Sequence, residues 1–155
     1  MSTQSAESVT VEQPTLHHQA VILKNRGAVV VDSNHPLAGR SNLSILDFRD
    51  YDFVATSPNE SRMNYNGFIE ICTSRGFMPK IARTARTLDG LLFCVEMGIG
   101  ACLVDENVSL VDYKNLIKLP INDDIYSIIA AVWLGDNTDP RIRRLAEKLA
   151  SICNS

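Results

Sequence analysis

Short β-type apolar runs alternate along the chain with segments whose apolar residues recur every three to four positions. This alternation predicts an α/β fold, with a mixed, mostly parallel sheet flanked by helices. Continuous apolar runs are typical of strands that are covered on both faces. Gly27, between the first two runs, predicts a tight connection. Strands are expected at residues 20–24, 28–32, 52–56, 80–85, 99–105, 116–121 and 127–134.

Polar caps and glycines mark the helices. Ser44, Thr87 and Asp139 can each accept an unpaired backbone N–H in a first helical turn, and Gly76 and Gly98 are suited to end helices. The closing helix, which starts with proline after Asp139, is amphipathic and must dock on something. The predicted apolar stripes are Tyr65, Phe68, Ile69 and Cys72; Leu88, Leu91, Leu92 and Val95; and Ile142, Leu145, Ala146, Leu149 and Ile152.

Composition and charge exclude several classes of function. The formal net charge of −3 provides no general attraction for a phosphate backbone, so direct DNA binding by this chain is disfavoured. No apolar run approaches the roughly 18 residues of a membrane span, so we expect a cytoplasmic protein without membrane contact. The four cysteines lack the spacing of a zinc site and are interpreted as small, mostly buried thiols. No metal site and no cofactor are predicted.

Residues 1–15 differ from the rest of the chain. They are rich in Ser, Thr, Gln and Glu and contain no apolar block, which excludes a signal peptide there. We therefore expect a flexible leader at 1–15 and a single domain at 16–155.

Several motifs occur in a characteristic order. HPLA at 35–38 follows a strand, and LSILDF at 43–48 leads into the next strand. GFMP at 76–79 follows a helix, LLFCVEMGIGACLV at 91–104 combines a helix with a buried strand, and AVWL at 131–134 precedes the closing helix. In this order the motifs resemble the effector-binding domain of LysR-type bacterial transcription regulators. The resemblance covers about residues 16–152.

The resemblance implies a periplasmic-binding-protein-like (type 2) lobe that senses a small molecule. In that family two α/β subdomains close on an effector, and an N-terminal winged helix-turn-helix reads DNA. This sequence corresponds to the second subdomain plus the C-terminal strand and helix, without the helix-turn-helix and most of the first subdomain. The implied role is regulation of DNA binding by the intact protein, as a homodimer or oligomer, and not catalysis.

The resemblance also indicates where an effector would bind. In the family the effector meets loops at the carboxyl ends of strands and the first turns of helices, where exposed N–H groups favour an anion. The implied ligand is an anionic or aromatic metabolite. The residues at matching positions are Thr56, Ser57, Met63, Asn64, Tyr65, Thr87 and Leu88, together with Asp105, which stands where the family frequently has proline.

Simpler interpretations of these residues stay open. Thr87 can be only an N-cap, Ser57 only part of a turn, and Asp105 only the start of a turn at Glu106. An alternative function is a self-association or protein-interaction module without its own ligand, which would use the apolar stripes and a sheet edge. An enzyme built on Cys94 or His35 is disfavoured, because neither has a recognisable catalytic frame.

Overall fold

The computed structural model describes residues 17–154, so the predicted leader at 1–15 lies outside the described residues. The helices are α1 Arg62–Thr73, α2 Leu88–Glu96 and α3 Pro140–Cys153, and Ile45–Phe48 form a short 3-10 helix. The strands are β1 His17–Asp32, β2 Asp52–Thr56, β3 Lys80–Ala85, β4 Cys102–Asp105, β5 Leu116–Pro120 and β6 Tyr126–Leu134. The order of strands and helices is that of an α/β protein.

Strand β1 is one continuous strand of 16 residues, so the predicted tight connection at Gly27 is wrong. The N–H of Gly27 donates to the carbonyl of Ile125 at 2.8 Å. A Cβ on Gly27 would lie 3.1 Å from Cγ2 of Ile125. Glycine therefore permits close packing of two extended segments here and does not reverse the chain.

Residues 26–125 form one compact unit, called here the large unit. Within it β1 lies between β4 and β5 and is antiparallel to both, whereas β2 and β3 pair in parallel. The expectation of a mostly parallel sheet is therefore wrong for β4 and β5, which pair with β1. A continuous apolar run indicates that both faces of a strand are covered. It does not indicate whether the neighbouring strands run parallel or antiparallel to that strand.

Two apolar clusters occupy the large unit, and β2 contributes to both. Phe53 packs in the first cluster, where its ring centroid lies 5.1 Å from that of Phe68 and 6.4 Å from that of Phe48. Val54 packs in the second cluster with Leu92 of α2. Because successive side chains of a strand point to opposite faces, β2 is covered on both sides, as its sequence predicts.

A nearly buried carboxylate joins three loops of the large unit. Asp123 accepts from the backbone N–H of Ile45 at 2.6 Å, from the hydroxyl of Ser44 at 3.1 Å and from Nε of Arg75 at 3.1 Å. Burial alone would raise the pKa of Asp123, but these three donors together hold it below its ordinary value. Ser44 also caps the 3-10 helix, as predicted.

Replacing Asp123 by asparagine is expected to lower the free energy of unfolding at pH 7 by about 2 kcal/mol, since hydrogen bonds to a charged group are lost. A lowered pKa in the folded state stabilises the protein above the unfolded pKa, and this contribution disappears as the pH falls through the folded pKa. Urea denaturation from pH 7 down to below about pH 4 should therefore show the difference between wild type and D123N shrinking.

The matched control is Asp112→Asn, at an exposed carboxylate of the same unit. It should change the stability by less than about 0.5 kcal/mol at every pH. A stability difference for D123N that grows on acidification would contradict the role assigned to this carboxylate.

Residues 17–25 and 126–154 belong to a second compact unit, called here the small unit. There β6 pairs with β1, and α3 begins at the predicted cap Asp139 with Pro140 at its first position. Asn154 donates from Nδ2 to the carbonyl of Ile22 at 3.0 Å. Ala20, Ile22 and Ala146 form the buried cluster of this unit.

The apolar face of α3 is only partly covered. Ala146 is buried, but the predicted face also contains Leu145, Leu149 and Ile152, whose exposures range from 40% to 59%. Strand β6 likewise leaves four large apolar side chains exposed, Ile128, Ile129, Val132 and Leu134. Within residues 17–154, none of the helices has the length and apolar character needed to cross a bilayer.

Candidate functional site

A cleft of about 460 Å³ lies at the carboxyl ends of β2, β3 and β4 in the large unit. Strand β2 is parallel to β3 and also forms a parallel bridge between Phe53 and Ala101, just before β4. These strand ends therefore meet at one edge, where ligands of open α/β sheets commonly bind. The polar lining is Thr56, Glu60, Ser61, Asn64, Arg86, Thr87 and Asp105, and the apolar lining is Leu88, Leu91, Leu103, Val104 and Val108.

Two helix N-termini meet at the cleft. Ser61 caps α1 by accepting from the N–H of Asn64 at 3.2 Å, and Thr87 caps α2 by accepting from the N–H of Gly90 at 3.0 Å. Both cap residues line the cleft. Since the amino end of a helix carries a partial positive charge and unpaired N–H groups, the two ends together favour an anionic group between them.

Three charged side chains also line the cleft. Nε of Arg86 donates to Oε1 of Glu60 at 2.7 Å, which joins the loop after β3 to the loop after β2. Asp105 accepts the backbone N–H of Asn107 at 2.8 Å through Oδ1. Asp105 thus forms the turn expected of it and also stands at the cleft, so the two interpretations are compatible.

The structure brings five of the eight predicted site residues to the cleft: Thr56, Asn64, Thr87, Leu88 and Asp105. Their role in effector binding stays a prediction. Thr87 combines the capping role with a position on the cleft wall, and Leu88 is 45% exposed beside it.

The other three predicted residues do not line the cleft. Ser57 accepts the N–H of Asn59 at 3.3 Å and so takes part in a turn. Met63 is 82% exposed, and Tyr65 packs against the apolar cluster around Phe53. Successive residues of a helix are rotated by about 100°, so the neighbours of Asn64 face other directions.

Glu60, Ser61 and Arg86 are cleft residues that the sequence analysis missed. Ser61 directly precedes α1, and Arg86 lies between β3 and the recognised cap Thr87. A polar residue just before a helix was therefore a usable signal for Ser61. The pairing of Glu60 with Arg86 had no such signal, since it joins residues 26 positions apart.

The cysteines and His35 lie outside this cleft. Burial raises the pKa of Cys72 to about 11 and that of Cys102 to about 12, so both are protonated at neutral pH. Desolvation lowers the pKa of His35, against the opposing effect of Asp32. Nδ1 of His35 accepts the N–H of Leu37 at 3.1 Å, which fits the local structural role expected of it. No cluster of metal-binding side chains occurs in the part of the chain that the structure describes.

A thiol reagent such as dithionitrobenzoate is expected to modify one cysteine rapidly in the folded protein and all four after unfolding. Cys153 is exposed, whereas Cys72, Cys94 and Cys102 are buried. Only the thiolate attacks the reagent, and burial both blocks access and raises the pKa of the thiol. The release of the coloured thiolate measures the stoichiometry at pH 7 with and without denaturant. Cys153→Ser should abolish the rapid phase, and a rapid phase that persists in C153S would contradict the assignment.

Solved structures with the same architecture show the fold of this protein. The BenM effector binding domain with its effector benzoate superposes with a TM-score of 0.79 at 21% identity, covering 94% of this chain and 66% of that chain. The effector binding domain of QuiR in complex with shikimate superposes with a TM-score of 0.69 at 20% identity, with the same two coverages. The α/β fold and the periplasmic-binding-protein-like type 2 lobe are thereby confirmed.

Family membership follows from the sequence as a whole. The family described as LysR substrate binding domain matches residues 8–153, and the chain belongs to it. The transcriptional regulator ShiR of Corynebacterium glutamicum is 25% identical over 111 residues, and AlsR of Bacillus subtilis is 24% identical over 144 residues. The alignments cover 72% and 87% of this chain but 37% and 46% of those regulators, so the chain spans less than half of their length. The family comprises transcription regulators and not enzymes.

Proposed function

We propose that this chain is the ligand-sensing part of a LysR-type transcription regulator and that a small effector binds in the cleft at the carboxyl ends of β2, β3 and β4. Residues 16–155 would form this sensing domain. The observation that carries the proposal is the convergence of two helix N-termini, at Ser61 and Thr87, on a cleft of about 460 Å³. Pockets for small ligands typically measure about 300–1,000 Å³ and combine apolar walls with a few placed polar groups.

An anionic effector fits this cleft best. The helix ends and Arg86 favour negative charge, and the apolar wall of Leu88, Leu91 and Val108 can cover a ring or short hydrocarbon. The ligands named for two proteins of similar fold, benzoate for BenM and shikimate for QuiR, are both small carboxylates. Their chemistry supports the predicted class of anionic or aromatic metabolites.

Effector binding in the cytoplasm would shift the population of conformations of the intact regulator, which we expect to act as a homodimer or oligomer. If the intact regulator has one conformation with high and one with low affinity for DNA, the difference between the effector's affinities for these two conformations sets how far DNA binding changes. DNA would be contacted only through a helix-turn-helix domain outside this sequence. Self-association of a module without its own ligand is not favoured by the comparisons, since similar domains have been solved with bound effectors.

Nuclear magnetic resonance titration of the chain with benzoate and with shikimate tests this proposal. The amide signals of Thr56, Asn64, Thr87 and Leu88 should move with increasing ligand, because these groups line the cleft. Thr87→Val should weaken the affinity for the ligand by about tenfold, because it removes the cap hydroxyl that orients the first turn of α2. Thr84→Val, at an exposed residue of β3 that does not line the cleft, is the control.

Two results would overturn the proposal. Signal changes confined to residues away from the cleft would place the binding elsewhere. An absence of signal changes with both ligands up to their solubility limit would remove the support for this cleft as the effector site.

A further inference from the structure

Two loops that line the cleft are joined by a backbone contact and a side-chain contact. The N–H of Ser57, just after β2, donates to the carbonyl of Ala85, the last residue of β3, at 2.8 Å. Nε of Arg86 donates to Oε1 of Glu60 at 2.7 Å. The carbonyl of Ser57 accepts the N–H of Glu60 at 3.0 Å, so Glu60 belongs to a hydrogen-bonded turn. Both partners of the ion pair are therefore attached to backbone that is itself held by hydrogen bonds.

Most of the guanidinium of Arg86 is available to a ligand in the cleft. Among the described residues its only hydrogen bond is the one to Glu60, and that bond uses Nε alone. The side chain of Arg86 lines the cleft and is 80% exposed, so a ligand can reach the two Nη groups. These two groups form a planar fork of N–H donors, which matches the two oxygens of a carboxylate.

The ion pair between Glu60 and Arg86 contributes orientation rather than stability or net charge. An ion pair this exposed adds little to stability, because water screens it and two long side chains lose conformational freedom. Its two formal charges cancel, so the pair as a whole gives little net attraction for an anion. The contact does fix the direction of the guanidinium, at the edge of the sheet where two helix N-termini favour an anionic group.

We propose that Arg86 determines the specificity of the cleft for carboxylates. Its two Nη groups bind the two oxygens of the effector's carboxylate, and Glu60 is a positioning residue that holds the guanidinium in place. The apolar wall at Leu88 and Leu91 then covers the rest of the ligand. This inference rests on the proposed effector function of the cleft. It narrows the class of ligand from anions in general to carboxylates bound by a directed pair of donors.

Nuclear magnetic resonance titration of the full chain with benzoate and with benzamide tests the class of ligand. The two probes share one ring, but benzamide is neutral and offers one acceptor oxygen and an N–H₂ group in place of two charged oxygens. Benzoate should therefore bind about tenfold more tightly, as followed by the amide signals of Thr87 and Leu88. Equal affinities for the two probes would overturn the proposal.

Substitutions of Arg86 separate the fork of donors from the positive charge. Arg86→Lys keeps the charge but removes the planar pair of Nη groups, so the affinity for benzoate should fall about tenfold. An arginine that acts only through its charge would be replaced by lysine without loss, and that result would overturn the proposal. Arg83→Lys, at an exposed residue of β3 that does not line the cleft, is the matched control and should leave the affinity unchanged.

Substitutions of Glu60 have opposite expected effects for positioning and for charge. Glu60→Ala removes a negative charge, which by itself would strengthen the binding of an anion. Loss of positioning should instead weaken benzoate about fivefold, and Glu60→Gln, which keeps an acceptor for Nε, should restore the affinity to within about twofold of wild type. Both variants should keep the wild-type midpoint of urea unfolding, because the pair is exposed. Tighter binding by E60A would overturn the positioning role.

The outcomes separate this inference from the proposed function. The same variants are titrated with shikimate, so that the result does not depend on one carboxylate. Signal changes at the cleft with wild-type affinity in R86K would overturn the role of Arg86 while leaving the cleft as an effector site. Absence of signal changes with both carboxylates, or changes confined to residues away from the cleft, would overturn both proposals.

Discussion

Phe53→Ala is expected to lower the free energy of unfolding by about 4 kcal/mol, because it removes a fully buried ring and leaves a cavity. Phe53 has an exposure of 0% and packs against the rings of Phe48 and Phe68. The lost transfer free energy of the ring and the lost contacts with the other rings both lower the free energy of unfolding. Urea denaturation followed by circular dichroism measures the loss.

The matched control is Phe93→Ala on α2. The ring of Phe93 is 58% exposed, so its removal should cost less than about 1 kcal/mol. Equal losses for the two variants would contradict the central position of β2 in the core. The substitution of Phe53 should also affect the cleft, because the same strand ends at Thr56, which lines the cleft.

Gly100→Ala is expected to lower the free energy of unfolding by about 3 kcal/mol, because the added Cβ would overlap the backbone of β2. An ideal Cβ on Gly100 lies 2.7 Å from the carbonyl oxygen of Asp52 and 2.9 Å from its carbonyl carbon. The chain must then move Ala101 away from β2, where it now makes two backbone hydrogen bonds of 2.7 and 2.9 Å. Denaturation measures the stability, and the amide signals of Thr56 and Asp105 should report the displacement at the cleft.

Gly67→Ala provides the control for the added methyl group. Gly67 lies within α1, and an added Cβ there meets nothing within 4 Å. Alanine should stabilise the helix by about 0.5–1 kcal/mol, because glycine loses more backbone entropy on folding. A Gly100→Ala protein as stable as wild type would show that the close approach of residue 100 to β2 is not required.

The charged residues of the cleft lie at the ends of different strands and not in one contiguous motif. Thr56 and Asp105 are the last residues of β2 and β4, and Arg86 directly follows β3, yet all three line one cleft. Parallel alignment of β2 with β3 and with residue 101 brings these ends to one edge. Changes in any of the three loops can therefore alter the lining of the cleft without disturbing the core.

Local features were predictable from the sequence. Ser44, Thr87 and Asp139 cap helices as expected, and Gly76 and Gly98 adopt positive φ angles of 89° and 74°. Capping and left-handed glycine conformations depend on a few neighbouring residues, so the order of residues is sufficient to predict them.

Part of the cleft was also predictable. The resemblance to the family implies Thr56, Thr87 and Asp105 as site residues, at the ends of predicted strands or the start of a helix, and the structure places all three on the cleft. The same resemblance implies Met63 and Tyr65 together with Asn64, but the rotation of α1 directs these two side chains away from the cleft. Sequence proximity to a site does not determine the direction of a side chain.

The sequence by itself determined the type of most elements, their caps and the family of the chain. Only the tertiary structure decided that β1 runs unbroken past Gly27, that its neighbours β4 and β5 are antiparallel to it, and that Glu60 meets Arg86. Propensity and capping act over a few residues. Strand direction and the meeting of distant loops depend on long-range packing, which no local pattern encodes.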